Sequence, residues 1–375
     1  MAIDIKNILE LVQKKIAGVD STTSTQDLGY LLNLAKRVDG SLVRSYDSDG
    51  ALPDPALTTE RLAYITSTGV MRFNNGRWDA LSGTAFFPPD PEPPFVATTG
   101  YTSGGFSAYA IDKFPFAVDA NATDVGDLSV NRYGTAGQSS TEHGYISGGQ
   151  PGLSNVIDKF PFAVDANATD VGDITITRTS VAGQSSSTHG YTAGGQTPAM
   201  SNVIDKFPFA VDANATDVGD LTVSRTGVDG QSSSTHGYTS AGYTTQNEID
   251  KFPFATDANA TDVGDLTVAR GNAAGQSSST HGYASGGTRS FSLFYNIINK
   301  FPFASDGNAT DVGDLTLARG NAAGQSSTEN GYTSGGNTAP TRPPTIDKFP
   351  FASDGNATDV GDLTAGRSDM AGNQG

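Results

Sequence analysis

The chain has 375 residues, 45 of them glycine and none cysteine, with 17% charged residues and a formal net charge of −17. This composition excludes a coiled coil, a highly charged disordered chain, a disulfide framework, a thiol nucleophile and a Cys-ligated zinc site. The acidic surplus is −3 over residues 1–98 and −14 over residues 99–375. It opposes attraction to a phosphate backbone, so no nucleic acid is expected as a ligand.

The opening Met-Ala-Ile-Asp-Ile-Lys lacks the basic start and apolar core of a secretory leader. No apolar run is long enough to span a bilayer, so synthesis in a cytosol without membrane insertion is expected. Ile5, Ile8, Leu9, Val12 and Ile16 follow helical spacing, and Gly18 suits the helix end. Ser24 or Thr25 caps a second helix with Leu28, Leu31, Leu32, Ala35 and Val38 on one face, stopped by Gly40. Two short amphipathic helices bury little alone, so residues 1–50 are expected to oligomerise or dock on a partner. Membrane-surface binding is the alternative, and the balanced charge disfavours it. Residues 62–66, 70–73 and 77–81 read as strands, the last two joined by the tight turn Asn74-Asn75-Gly76, giving a small β-hairpin region over 51–84. Residues 85–98 contain Pro88, Pro89, Pro91, Pro93 and Pro94 and read as a stiff spacer.

From residue 99 onward one unit is repeated six times. Lys-Phe-Pro-Phe recurs from Lys113, Lys159, Lys206, Lys251, Lys300 and Lys348, at steps of 45 to 49 residues. That period in a Gly-, Ser- and Thr-rich chain predicts propeller blades of four strands. In the copy beginning at Arg178, residues 182–186 are small and uncharged, as an innermost strand near an axis requires. Residues 187–190 form a turn, and residues 191–195 end the second strand with a glycine pair. Residues 203–209 form a third strand with Phe207 and Phe209 on one face, and Pro208 predicts a bulge or irregular pairing there. Residues 212–217 form a turn, and Leu221-Thr222-Val223 is expected as the outer strand. The repeat opens at Gly100 on a second strand and ends with Ala371-Gly372-Asn373-Gln374 in the inner-strand position. The fold class is therefore mainly β, a six-bladed propeller over residues 99–375 closed by the C-terminal strand, after a small α+β attachment region.

The segments after the glycine pairs are the least repetitive and must share one face of the disc. They carry Phe106, Tyr109, Tyr243, Phe291, Phe294, Tyr295 and Arg342, the candidate ligand-binding residues, because exposed aromatics suit sugars or protein partners. His143, His189, His236 and His281 occupy equivalent positions on a wide ring, which opposes convergence on one metal ion. Asp-x-Asn-x-x-Asp segments such as Asp119, Asn121 and Asp124 resemble calcium loops superficially, but they lack the glycine at position six and the distal Glu, so a turn role is expected. The six Asn-Ala-Thr sequons are read as incidental. Arg132, Arg178, Arg225, Arg270, Arg319 and Arg367 could ring a channel mouth and bind an anion, but pairing with neighbours of the Asp127 type is expected instead. No distinguished nucleophile stands out, so no catalytic residue, metal or cofactor is expected, and the chain reads as a non-enzyme.

The layout of residues 99–375 resembles the kelch repeat, with a glycine pair closing the second strand, an aromatic in the third and Arg before the inner strand. It departs from kelch where a tryptophan is usual, since Val125, Val171, Val218, Val263, Val312 and Val360 stand there. One glycine pair is altered, to Ala241-Gly242. The absence of cysteine excludes a kelch-type copper-radical oxidase. The opening helix pair, with residues 63–69 and Asn75-Gly76-Arg77-Trp78, resembles the N-terminal parts of virion structural proteins of marine tailed phages, notably cyanophages. The resemblance implies a virion protein assembled in the host cytoplasm. Residues 1–98 would contact other virion proteins and oligomerise, with a trimer favoured, and the propeller would adhere to a host-surface glycan or protein. The alternatives are a capsid-decoration or tail-assembly protein, or a soluble kelch-type interaction module.

Overall fold

The computed structural model describes residues 97–243, 246–290 and 292–375, and the backbone of four strands before them. The chain forms two compact units, Met1–Pro94 and Phe95–Gly375. In the first, Arg44–Tyr46, Leu62–Ile65, Val70–Asn74 and Trp78–Ala80 form one sheet in that order, with the first pair parallel and the others antiparallel. The three expected strands are present, and Arg44–Tyr46 adds a fourth that sequence patterning did not single out. The expected helices with Ile5, Ile8, Leu9, Val12, Ile16, Leu28, Leu31 and Leu32, and most of the Pro-rich spacer, fall outside the described residues.

The second unit is a six-bladed β-propeller. Blades 1 to 6 take their second strands from Thr99–Ser103, His143–Ser147, His189–Ala193, His236–Ser240, His281–Ser285 and Asn330–Ser334. Blade 3 shows the pattern: inner strand Ala182–Ser185, second His189–Ala193, third Val203–Pro208 and outer Thr216–Asp220, all antiparallel. Blade 1 obtains its inner strand from Ala371–Gln374, which pairs with Thr99–Ser103 and stands between the inner strands of blades 6 and 2. The ring is thus closed by the C-terminal strand. Beside that ladder, the Thr98 amide donates to the Gly375 carbonyl over 2.7 Å.

The inner strands meet backbone to backbone around the axis. A Cβ on Gly230 would lie 2.0 Å from the carbonyl oxygen of Gly183 in the preceding blade, and the other five inner-strand glycines are as tight. Only glycine permits that approach. Between blades the core is aromatic. Tyr145 of blade 2 stacks on Phe209 of blade 3 with centroids 4.8 Å apart and meets Phe207 at 5.5 Å. The same trio recurs at all six seams, ending with Tyr332 against Phe114 and Phe116. The Phe pair does share one face, and each tyrosine supplies a partner across the seam.

Three local expectations are corrected. The outer strand is Thr216–Asp220, not residues 221–223: Leu221 turns into the core at 2% exposure and Thr222 bonds to the next blade. The bulge lies between Ile204 and Asp205, while Pro208 pairs in register with His189 at the strand end, where its missing N–H interrupts no ladder. The arginines do not pair with Asp127-type residues. Buried Arg178 binds buried Asp205 at 2.7 Å and donates to the carbonyls of Thr192, Gly194 and Val203, pinning the second and third strands of blade 3. Asp205 also accepts from the Thr175 amide and hydroxyl. Breaking such a buried pair by removing one partner costs about 3–5 kcal/mol.

Candidate binding face

Each second strand runs from a lower face to an upper one. All six variable segments therefore leave the sheets on the upper face, together with the turns that lead into the inner strands. Backbone pairs hold each segment to such a turn: Tyr133 with Gln150, Thr179 with Gln196, Gly271 with Thr288 and Gly320 with Asn337, the Tyr243 amide with the Thr226 carbonyl, and the Phe106 amide with the Ser368 carbonyl. Thr98 leads into the propeller at the opposite, lower face. Among the described residues eleven large apolar side chains are well exposed, and eight of them lie on the upper side, including Phe106, Tyr109, Met200 and Leu293. The well-exposed apolar side chains are thus concentrated on the upper face.

At its centre is an axial mouth built from backbone. Gly134, Ser180, Gly227, Asn272, Asn321 and Asp369 all have positive φ, between 53° and 67°. Gly, Asn and Asp are the residues that tolerate this conformation best. Each donates its N–H to the carbonyl of the equivalent residue one blade back, over 2.7–3.0 Å, and Gly134 donates to Asp369 to complete the circle. A cavity of about 110 Å³ lies at this mouth, bordered by Asp229 and the inner-strand glycines. On the far side of those glycines a second cavity of about 180 Å³ is lined by Ser139, Ser185, Ser232, Ser277, Ser326 and Gln374.

Asp229 stands where the other inner strands have alanine. It is buried with Oδ2 unpartnered, and burial pushes its carboxyl up to about 8 against the opposing pull of Arg270. Arg270 is also exceptional. Its third-strand partner is Asn299, at 3.1 Å, where the other five blades supply aspartate. Burial lowers Arg270 to about 10.

The sequence candidates divide in two. Phe106 and Arg342, from blades 1 and 6, come together: the Arg342 guanidinium lies 4.7 Å from the Phe106 ring centre and its Nε donates to Ser368 Oγ at 3.1 Å. Phe106 is 46% exposed, and Tyr109, in the same loop, is 50% exposed. Tyr133 joins them, 5.1 Å from Phe106, with its hydroxyl donating to Gln150 Oε1 at 3.1 Å. Sequence reasoning missed Tyr133, although a signal was present: the equivalent slot holds Thr179, Thr226, Gly271, Gly320 or Ser368. Tyr243, Phe294 and Tyr295 are half-buried on blades 4 and 5 and join no aromatic pair among the described residues. Phe294 belongs to a small hairpin, Thr288–Ser290 with Leu293–Phe294. The Tyr295 amide and carbonyl secure its loop to Gly287 and Arg319. Phe291 lies outside the described residues.

The lower face is regular. Lys159 binds Asp212 of the next blade, and the same Lys–Asp link recurs at every seam, with Lys348–Asp119 completing the set. The Asn214 side chain accepts from the Asp173 amide at 3.1 Å, and its five equivalents act likewise. The calcium-like segments thus clasp one blade to the next, a role beyond a simple turn. His143, with Glu142, Lys159 and Asp212, borders a groove of about 460 Å³ between blades 2 and 3. Burial, reinforced by the neighbouring lysines, lowers the pKa of His143, His189, His236 and His281. Among the described residues no group of three or more His, Asp or Glu is placed to hold a metal ion.

Charge is sorted as well. Residues 99–375 contain 14 Lys and Arg. Six arginines are interior and six lysines link seams, which leaves Arg289 and Arg342, both on the upper loops of blades 5 and 6. Two aspartates on every outer strand, such as Asp217 and Asp220, join no ion pair among the described residues and give the circumference an acidic belt. No protein-family model matches this chain, and no curated protein matches it.

Proposed function

We propose that this chain is a structural protein of a phage virion, a tail fibre or similar appendage, whose kelch-type propeller is a non-enzymatic platform for adhesion to a host-surface glycan or protein. The observation that carries this reading is the separation of functions by face. An invariant frame is held by repeated Arg–Asp, Lys–Asp and aromatic seams, while the unlike, apolar-tipped loops all stand on the face opposite residue 98. A rigid scaffold that varies only its loops on one face is suited to selective contact. Residues 1–98 then serve attachment to other virion proteins and self-association, with a trimer expected.

Immunogold electron microscopy of purified particles, with antibody against residues 99–375, tests this reading. Label at tail or fibre tips supports adhesion. Label over the capsid replaces it with decoration, and particles without label overturn the virion assignment. Removal of residues 1–98 is expected to leave a folded, monomeric propeller by light scattering; a truncated chain that still oligomerises contradicts the division of labour.

A further inference from the structure

We propose that the cluster of Phe106, Tyr133 and Arg342 is a ligand subsite for a carboxylate-bearing saccharide, an assignment that rests on the adhesion reading above. Charge points there first. Every other lysine or arginine of the propeller except Arg289 is engaged inside the frame or across a seam, in a unit whose formal charge is −14. An anion approaching such a body is repelled by the circumference and is met by a guanidinium on the upper face.

Geometry separates the two remaining cations. Arg289 is exposed in the blade 5 hairpin and makes no side-chain bond among the described residues. Arg342 is oriented, with Nε fixed to Ser368 Oγ and the guanidinium held over Phe106. Its Nη groups, without a partner among the described residues, present the planar fork that matches a carboxylate. Asp369 feels the Arg342 charge, but its two oxygens are engaged by other donors: Ser368 donates to its Oδ2 at 2.7 Å, and Asn321 donates to its Oδ1. Beside the fork is the half-exposed Phe106 ring, 5.1 Å from the ring of Tyr133, whose hydroxyl donates to the Gln150 side-chain amide oxygen. Aromatic faces beside hydroxyl and amide groups suit the apolar face and hydroxyls of a pyranose, and the fork supplies preference for an acidic one.

Titration calorimetry on the full chain tests this with three probes: tetragalacturonate, its carboxyl-reduced neutral counterpart and a tetraglutamate peptide. Tetragalacturonate is expected to bind at least about tenfold more tightly than either of the others. Arg342→Ala should lose about tenfold or more, Phe106→Ala a similar amount, and Arg342→Lys only part of it, with Arg289→Ala unchanged. These side chains are exposed, so unchanged thermal unfolding of each variant is expected. The proposal is overturned if tetraglutamate binds as well as the uronate, if Arg342→Ala binds it normally, or if the uronate does not bind. A chain that still adheres to host envelopes with Arg342→Ala would keep the adhesion reading and remove only this subsite. Absence of binding to both probes and envelopes would remove both.

Discussion

Asp229, Arg270 and Asn299 are a residue-scale exception in an otherwise sixfold design. Five arginines lie against a third-strand aspartate; Arg270 has Asn299, and a carboxyl appears instead at Asp229, in the inner strand of the preceding blade. The compensation is imperfect, because Asp229 is buried with an unpartnered oxygen and its proton is held up to about pH 8. The folded state therefore binds a proton that the unfolded state releases near pH 4, and the stability tied to this group falls as pH rises between those values. Asp229→Asn should match the wild type near pH 4 and exceed it by about 1–3 kcal/mol at pH 8 in urea unfolding. A difference that does not change with pH would refute the buried-acid description. Asn299→Asp should stabilise the Asp229→Asn variant by restoring the consensus pair, and help less where Asp229 remains, since two carboxylates would then share one arginine. The non-additivity is expected to exceed about 0.5 kcal/mol in a double-mutant cycle.

At the scale of the strand, glycine has two meanings here that a single substitution distinguishes. A Cβ on Gly275 would lie 2.2 Å from the Gly230 carbonyl at the axis, so Gly275→Ala should destabilise by about 1–3 kcal/mol or more. Gly307, in the clasp of blade 5, has no atom within 4 Å of such a Cβ, and Ala213 fills the same slot in blade 3. Gly307→Ala should therefore raise stability by about 0.4–1 kcal/mol, and both changes can be read from denaturant midpoints. Much of this architecture was legible beforehand: the Lys-Phe-Pro-Phe spacing gives six blades, the glycine pairs give second-strand ends, and the cut repeat gives ring closure. The outer strand was not legible. Thr216–Asp220 has the composition of a turn and is strand because it pairs antiparallel with residues 203–206, with the next blade's Asn259 accepting the Asp220 amide, while Leu221, the apolar residue that suggested a strand, is used by the core. The pairing of Arg178 with Asp205 was hidden for a related reason, since a bulge and two strands separate them. In the candidate subsite, Phe106 and Arg342 were each recognisable as loop residues, but their meeting depends on blades 1 and 6 being neighbours, which only the closed ring provides.

For the whole molecule, the twelve outer-strand aspartates have a protective role. Each blade ends in an open edge, and a row of carboxylates discourages a second chain from pairing with it. Their mutual repulsion should make the propeller melt at lower temperature in 10 mM salt than in 150 mM salt; an unchanged Tm would mean that the belt is too widely spaced to matter. Ring closure is also testable, because deletion of residues 371–375 leaves blade 1 with three strands and bares an edge at the axis. Loss of the single cooperative melting transition, with aggregation on size exclusion, is the expected result, and unaltered melting and elution would contradict it. The placement of Thr98 has a mechanical consequence. A pull delivered through residue 98 while the upper loops are held enters along Thr99–Ser103, a strand bonded on both sides, to Ala371–Gln374 and to Ala110–Pro115. Tension along that axis loads two ladders in shear, so their bonds must yield together rather than peel one at a time. The junction that completes the circle is thus also the one best oriented to resist being drawn out under drag.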